Sequence, residues 1–170
     1  MNPVLRQILA FLVLLFLQVV LFNELVLFGW VVPYPFLLFV CFLPLELPKP
    51  LLYVLAFGAG LMVDFFSETY LSGLQAFSAL LTIGVREYVL TFLTPSSPGR
   101  NTGEISLENQ NVLWYAAFLF PLIFCHHIAF YLLEAFGFRN FWYTLSKIFL
   151  GSGYTFAWCF VLTIIFYKKN

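Results

Sequence analysis

Six long stretches of this 170-residue chain are apolar almost without interruption. The sequence between them is too short and too poorly charged to coat a water-soluble globule. Charged residues make up 9% of the chain, where a soluble domain carries about a quarter. Apolar surface on this scale has to meet lipid. A spanning helix needs roughly 20 residues, so six would use about 120 and leave about 50 for loops and ends. The expected fold class is therefore all-α: a polytopic integral membrane helical bundle of about six transmembrane helices, forming a single transmembrane domain over residues 1–170. The runs are continuous and rich in Leu and Phe, without the ten-residue alternation of a transmembrane barrel.

The spans are expected at about 6–22, 34–47, 51–66, 74–93, 112–136 and 141–167. The first follows Arg6 and imitates a signal peptide. No small-x-small cleavage site follows it, only Asn23-Glu24, so it reads as an uncleaved span. Pro33 and Pro35 open the second, which is short and carries Pro44, predicting a kink. Pro48-Lys49-Pro50 turns the chain into the third. Thr94 to Asn111, TPSSPGRNTGEISLENQN, is a solvent loop by composition. With six spans, Arg6, Lys49, Arg100, Lys168 and Lys169 share one side, facing Arg139 on the other. That bias puts both termini and the loop 94–111 in the cytoplasm. A re-entrant second segment would change the parity and undo the assignment.

Net charge is zero and no basic stripe is present, which excludes nucleic acid as a partner. Cys41, Cys125 and Cys159 lie inside apolar runs without CxxC spacing and read as small buried hydrophobes. No nucleophile elbow, P-loop or dinucleotide fingerprint occurs. No catalytic residue, cofactor or metal ligand is assigned, and the chain is not expected to be an enzyme.

The informative polar positions are few. Ala56, Gly60 and Asp64 fall four apart, on one helix face, with Gly58 nearby. Small residues there admit a neighbouring helix at close range. Asp64 has three readings: a helix-end carboxylate in interfacial water, a structural contact that caps the next helix or binds a partner, or an ion relay. Gly73 falls in the following turn. Arg86 and Glu87 point about 100° apart and either snorkel or enter a buried interhelical ion pair that sets the bundle geometry. His127, Tyr131 and Glu134 share a face, but seven residues rise about 10 Å, too far for His127 and Glu134 to chelate one ion. Interhelical hydrogen bonding suits the imidazoles better. Gly151, Gly153 and Ala157, with Thr155, form a second small-residue seam, internal or between copies of a homo-oligomer.

Gly58-Ala59-Gly60-Leu61-Met62-Val63-Asp64 gives a Gly-x-Gly-Leu-x-x-Asp pattern, followed by Leu71-Ser72-Gly73-Leu74-Gln75-Ala76. With Gln18 in the first span and prolines before the second, this chain resembles the bacterial rod shape-determining protein MreD family. Tyr34 and Phe36 stand where that family usually has an acidic residue after the proline. The resemblance implies a non-catalytic inner-membrane scaffold of the rod complex, regulating cell shape and directing lateral peptidoglycan synthesis. The partners it implies are MreC, the MreB filament, the rod-system peptidoglycan glycosyltransferase and transpeptidase, and membrane lipid. That family also looks similar in fold to the substrate-binding membrane subunits of energy-coupling-factor transporters. A subunit of that kind is the alternative, and it would draw on Asp64, Glu68, Gln75 and the His pair.

Overall fold

The computed structural model describes residues 3–45, 47–67, 73–93, 111–135 and 140–167. Every regular element among the described residues is helical. α1 (Pro3–Leu17) runs into a π-helical turn, Gln18–Phe22; α2 is Leu37–Cys41; α3 is Lys49–Phe66; α4 is Leu74–Leu93; α5 is Val112–Glu134; α6 is Phe141–Tyr167. Four helices, α3 to α6, are long and apolar enough to cross a bilayer, and the first helix adds a shorter apolar stretch. The predicted bounds of the fourth span, 74–93, coincide with α4. Most of the solvent loop 94–111, the Ser72 and Glu68 positions, and Arg100, Arg139, Lys168 and Lys169 lie outside the described residues. Asn111, which ends that loop, caps α5 by accepting the Trp114 N–H at 2.7 Å.

The second span requires correction. In place of a helix over 34–47 there is a five-residue helix, Leu37–Cys41, every residue of which is buried. Five residues rise only about 7.5 Å. Pro33, Pro35 and Pro44 explain the brevity, because proline lacks an N–H and disfavours helix in the residue before it. The predicted kink at Pro44 is instead the place beyond which the helix has already ended.

The path of this segment is nevertheless clear from its neighbours. Trp30 packs on Tyr143 at the start of α6, with ring centroids 5.3 Å apart. Lys49, at the other end, pairs with Glu87 of α4 at 2.9 Å. In between, Phe39 meets Phe11 of α1 at 4.6 Å, and Phe42 meets Tyr115 and Phe118 of α5 at 5.5 and 5.9 Å. Residues 31–45 thus run through the core from one end of the bundle towards the other. Val31, Phe36, Leu37, Val40 and Cys41 are all at 0% exposure. The outer surface is apolar by contrast, with Phe65 and Phe92 each 84% exposed. A helix bundle whose outside is as greasy as its inside belongs in lipid.

Candidate functional site

The polar side chains converge on the inside of this apolar bundle. Asp64, at the C-terminal end of α3, is 3% exposed. Its carboxylate accepts the backbone N–H groups of Gln75 at 3.1 Å and Ala76 at 3.0 Å. These are donors in the first turn of α4 that no helical carbonyl can satisfy. The negative charge also sits at the positive end of the helix dipole. Of the readings open to Asp64, the structure realises the capping one. Gly73 turns the chain into α4 with φ +99°, in the left-handed region. Gly60, one turn before Asp64, sets the crossing. A Cβ there would lie 2.5 Å from the Ala76 Cα and 2.6 Å from the Gln75 carbonyl oxygen. Both are backbone atoms, so the helices would have to separate. Ala56 is at 0% exposure on the same face. Gly58 is not part of it: a Cβ there would meet nothing within 4 Å.

A second group of side chains holds residues 31–45. Gln18, at 0% exposure, donates to the Pro33 carbonyl and to Asn23 Oδ1, each at 3.0 Å, and accepts the Phe36 N–H at 3.5 Å. Asn23 in turn donates to the Phe66 carbonyl at the end of α3, at 3.3 Å. The Tyr34 N–H donates to Thr155 Oγ1 at 3.1 Å, and that hydroxyl donates to His127 Nε2 at 3.1 Å. His127 Nδ1 lies 2.8 Å from the Ile123 carbonyl, so it is the protonated nitrogen. Every polar atom of this relay has a partner, and the interhelical role expected of the imidazoles holds for His127. Arg86 donates to the Leu43 carbonyl.

Arg86 departs from both sequence readings. At 2% exposure it does not snorkel, and among the described residues no carboxylate pairs with it. Glu87 faces out to Lys49 instead. Glu134, rather than joining His127, pairs with Lys147 of α6 at 2.9 Å. Among the described residues no group of three His, Cys, Asp or Glu is placed to hold a metal ion.

The seam on α6 divides in two. Gly151 faces inward, where a Cβ would come 2.9 Å from His127 Cδ2 and 3.1 Å from Tyr131 Cε2. Gly153 and Ala157 are exposed on the outer surface, and a Cβ on Gly153 would meet nothing within 4 Å. Gln18 and Tyr34 are residues whose sites sequence reasoning did not assign. An amide in the middle of an apolar span was the available signal for Gln18.

Several buried polar atoms remain unbonded, Arg86 Nε and Nη1 among them. Gln75, Ser78 and His126 are all at 0% exposure. Neither the Ser78 hydroxyl nor either ring nitrogen of His126 has a hydrogen-bond partner among the described residues, while the Gln75 amide lies near the Tyr34 hydroxyl. Comparison with known proteins is blank: no family model, curated protein or solved structure matches the chain.

Proposed function

We propose that this chain is a non-catalytic scaffold of the bacterial inner membrane. In this reading it crosses six times with both termini in the cytoplasm. It serves the rod complex, which regulates cell shape and directs lateral peptidoglycan synthesis, beside MreC, MreB and the rod-system glycosyltransferase and transpeptidase. The six passes are supported by the course of residues 31–45 from Tyr143 towards Glu87. One observation carries the functional reading. The residues of the Gly58–Asp64 resemblance form a helix crossing, with Gly60 against Ala76 and Asp64 on two backbone N–H groups. A motif of that kind builds a shape and leaves no reactive group over.

Because Ala56, Gly60 and Asp64 are used inside the chain, a partner contact falls instead to the outward face of Gly153 and Ala157. The test is co-purification through a C-terminal tag after gentle solubilisation. Recovery of MreC or the synthases, lost in Gly153→Leu, supports the scaffold. Recovery of ATPase subunits with a large coupling subunit, and no shape proteins, replaces it with the second reading, an energy-coupling-factor substrate subunit. The unbonded Ser78 and His126 side chains inside the bundle favour that second reading, since a substrate site needs buried polar groups.

A further inference from the structure

Between the first helix and the buried segment the chain makes a tight hairpin with a strained tip. The Leu27 N–H donates to the Val31 carbonyl at 2.8 Å, and the Val31 and Trp30 N–H groups donate to the Leu27 carbonyl at 3.0 and 3.2 Å. Phe28 and Gly29 turn the corner with φ +54° and +77°, both left-handed, as a type I′ turn requires. Asn-Gly takes such a corner readily, whereas a bulky side chain there crowds its own backbone. Here the strained residue is a phenylalanine that is 70% exposed. Strain of that kind is kept where the side chain has a use.

The surroundings say which use. The Trp30 ring lies between the tip and α6, with its centroid 6.5 Å from that of Phe28 and 5.3 Å from that of Tyr143. Trp142, beside Tyr143, is 78% exposed. The apolar span that begins at Phe141 has 25 residues, about 37 Å of helix, against a hydrocarbon core about 30 Å thick. Its first turn, with Trp142 and Tyr143, therefore reaches the headgroup layer, where aromatic rings gather. The stretch Leu25 to Pro33, LVLFGWVVP, holds no charged side chain and no polar one except the Trp30 indole. A tip of that composition suits lipid better than a polar protein surface. The Phe28 and Gly29 N–H groups have no partner among the described residues. Hydrocarbon would penalise them, and headgroup oxygens would satisfy them.

We propose that the Phe28–Gly29 tip is a lipid anchor, lodged in the headgroup layer at the end of the bundle where α6 begins. The Phe28 ring rests on the upper acyl chains, and the two free N–H groups donate to lipid headgroup oxygens. Gln18 bonds both feet of the hairpin, Asn23 and the Pro33 carbonyl, so the anchor is tied to the point where the chain enters the core. The inference rests on the chain being a membrane protein and on none of its protein partners, so its failure would leave the scaffold reading untouched.

The first test puts p-benzoylphenylalanine in place of Phe28 in the full chain and irradiates it in membranes whose phospholipid is radiolabelled. A gain of radiolabel on the chain is expected, as it is for the same residue in place of Trp142. A cross-link to another protein instead of lipid would make the tip a docking surface and overturns the proposal. No cross-link of either kind puts the tip in water and overturns it too. Depth is read separately from a nitroxide at Phe28→Cys, in a full chain whose Cys41, Cys125 and Cys159 are replaced by Ala. It should collide with dissolved oxygen more often than with a water-soluble nickel chelate, and lie shallower than a nitroxide at Phe57→Cys in the middle of α3. A signal dominated by nickel, or a depth equal to that at Phe57, refutes the headgroup position.

Discussion

Two parts of the interior treat buried polarity in opposite ways. At the α3–α4 crossing Asp64 holds the backbone N–H groups of Gln75 and Ala76. Elsewhere the Ser78 hydroxyl and both ring nitrogens of His126 have no partner among the described residues. The same contrast divides two consecutive histidines, both at 0% exposure. His127 is bonded at both ring nitrogens, and His126 at neither. Burial alone therefore does not say whether a polar residue holds this fold together. In lipid, where apolar contact gives helices little reason to prefer one another over the solvent, bonded groups and close packing fix the bundle. Unbonded groups are free for another use.

Substitutions at the two regions should separate accordingly. Gly60→Leu should have the largest effect, about 3 kcal/mol or more, because it forces α3 and α4 apart at backbone. Reversible unfolding in mixed micelles, followed by helical circular dichroism, reads it. An unchanged midpoint would mean the crossing is not close-packed. Asp64→Ala should cost about 1–2 kcal/mol through the lost cap, with Asp64→Asn recovering part of it. A loss of similar size, about 1–3 kcal/mol, is expected for His127→Phe, which takes the acceptor from the Thr155 hydroxyl proton in the core. The neighbouring His126→Phe should cost nothing or stabilise slightly, and the pair measured side by side is the sharpest check on the contrast. If both phenylalanines destabilise equally, the distinction between the two regions collapses. At the bottom of the scale, Gly58→Leu and Gly153→Leu should each stay within about 0.5 kcal/mol, since both face open space.

Sequence reached some of this and missed the rest for identifiable reasons. The bounds of α4 were legible because an apolar run with Gly73 before it and the polar 94–111 stretch after it admits one helix. The Ala56–Gly60–Asp64 spacing was legible as a face, and capping was among its readings. That the face meets α4 within the same chain was not, because spacing names a surface without naming what lies against it. Residues 34–47 read as a span because hydropathy cannot tell a segment wrapped in protein from one wrapped in lipid. Arg86 read as a snorkelling side chain for a related reason. Its acceptor, the Leu43 carbonyl, is free because the helix at Leu37–Cys41 has already ended, and no pattern around Arg86 announces that.

The interrupted course of residues 31–45 has a consequence for how the chain is made. A continuous helix satisfies its own backbone as it enters the bilayer, and this segment does not. Gln18, which receives Pro33 and Phe36, is synthesised before it, but Arg86 and Thr155 emerge later. Until α6 has been translated, the Tyr34 N–H has no hydroxyl to meet. Assembly of the core thereby waits for α6, a helix made well after the segment that it seats.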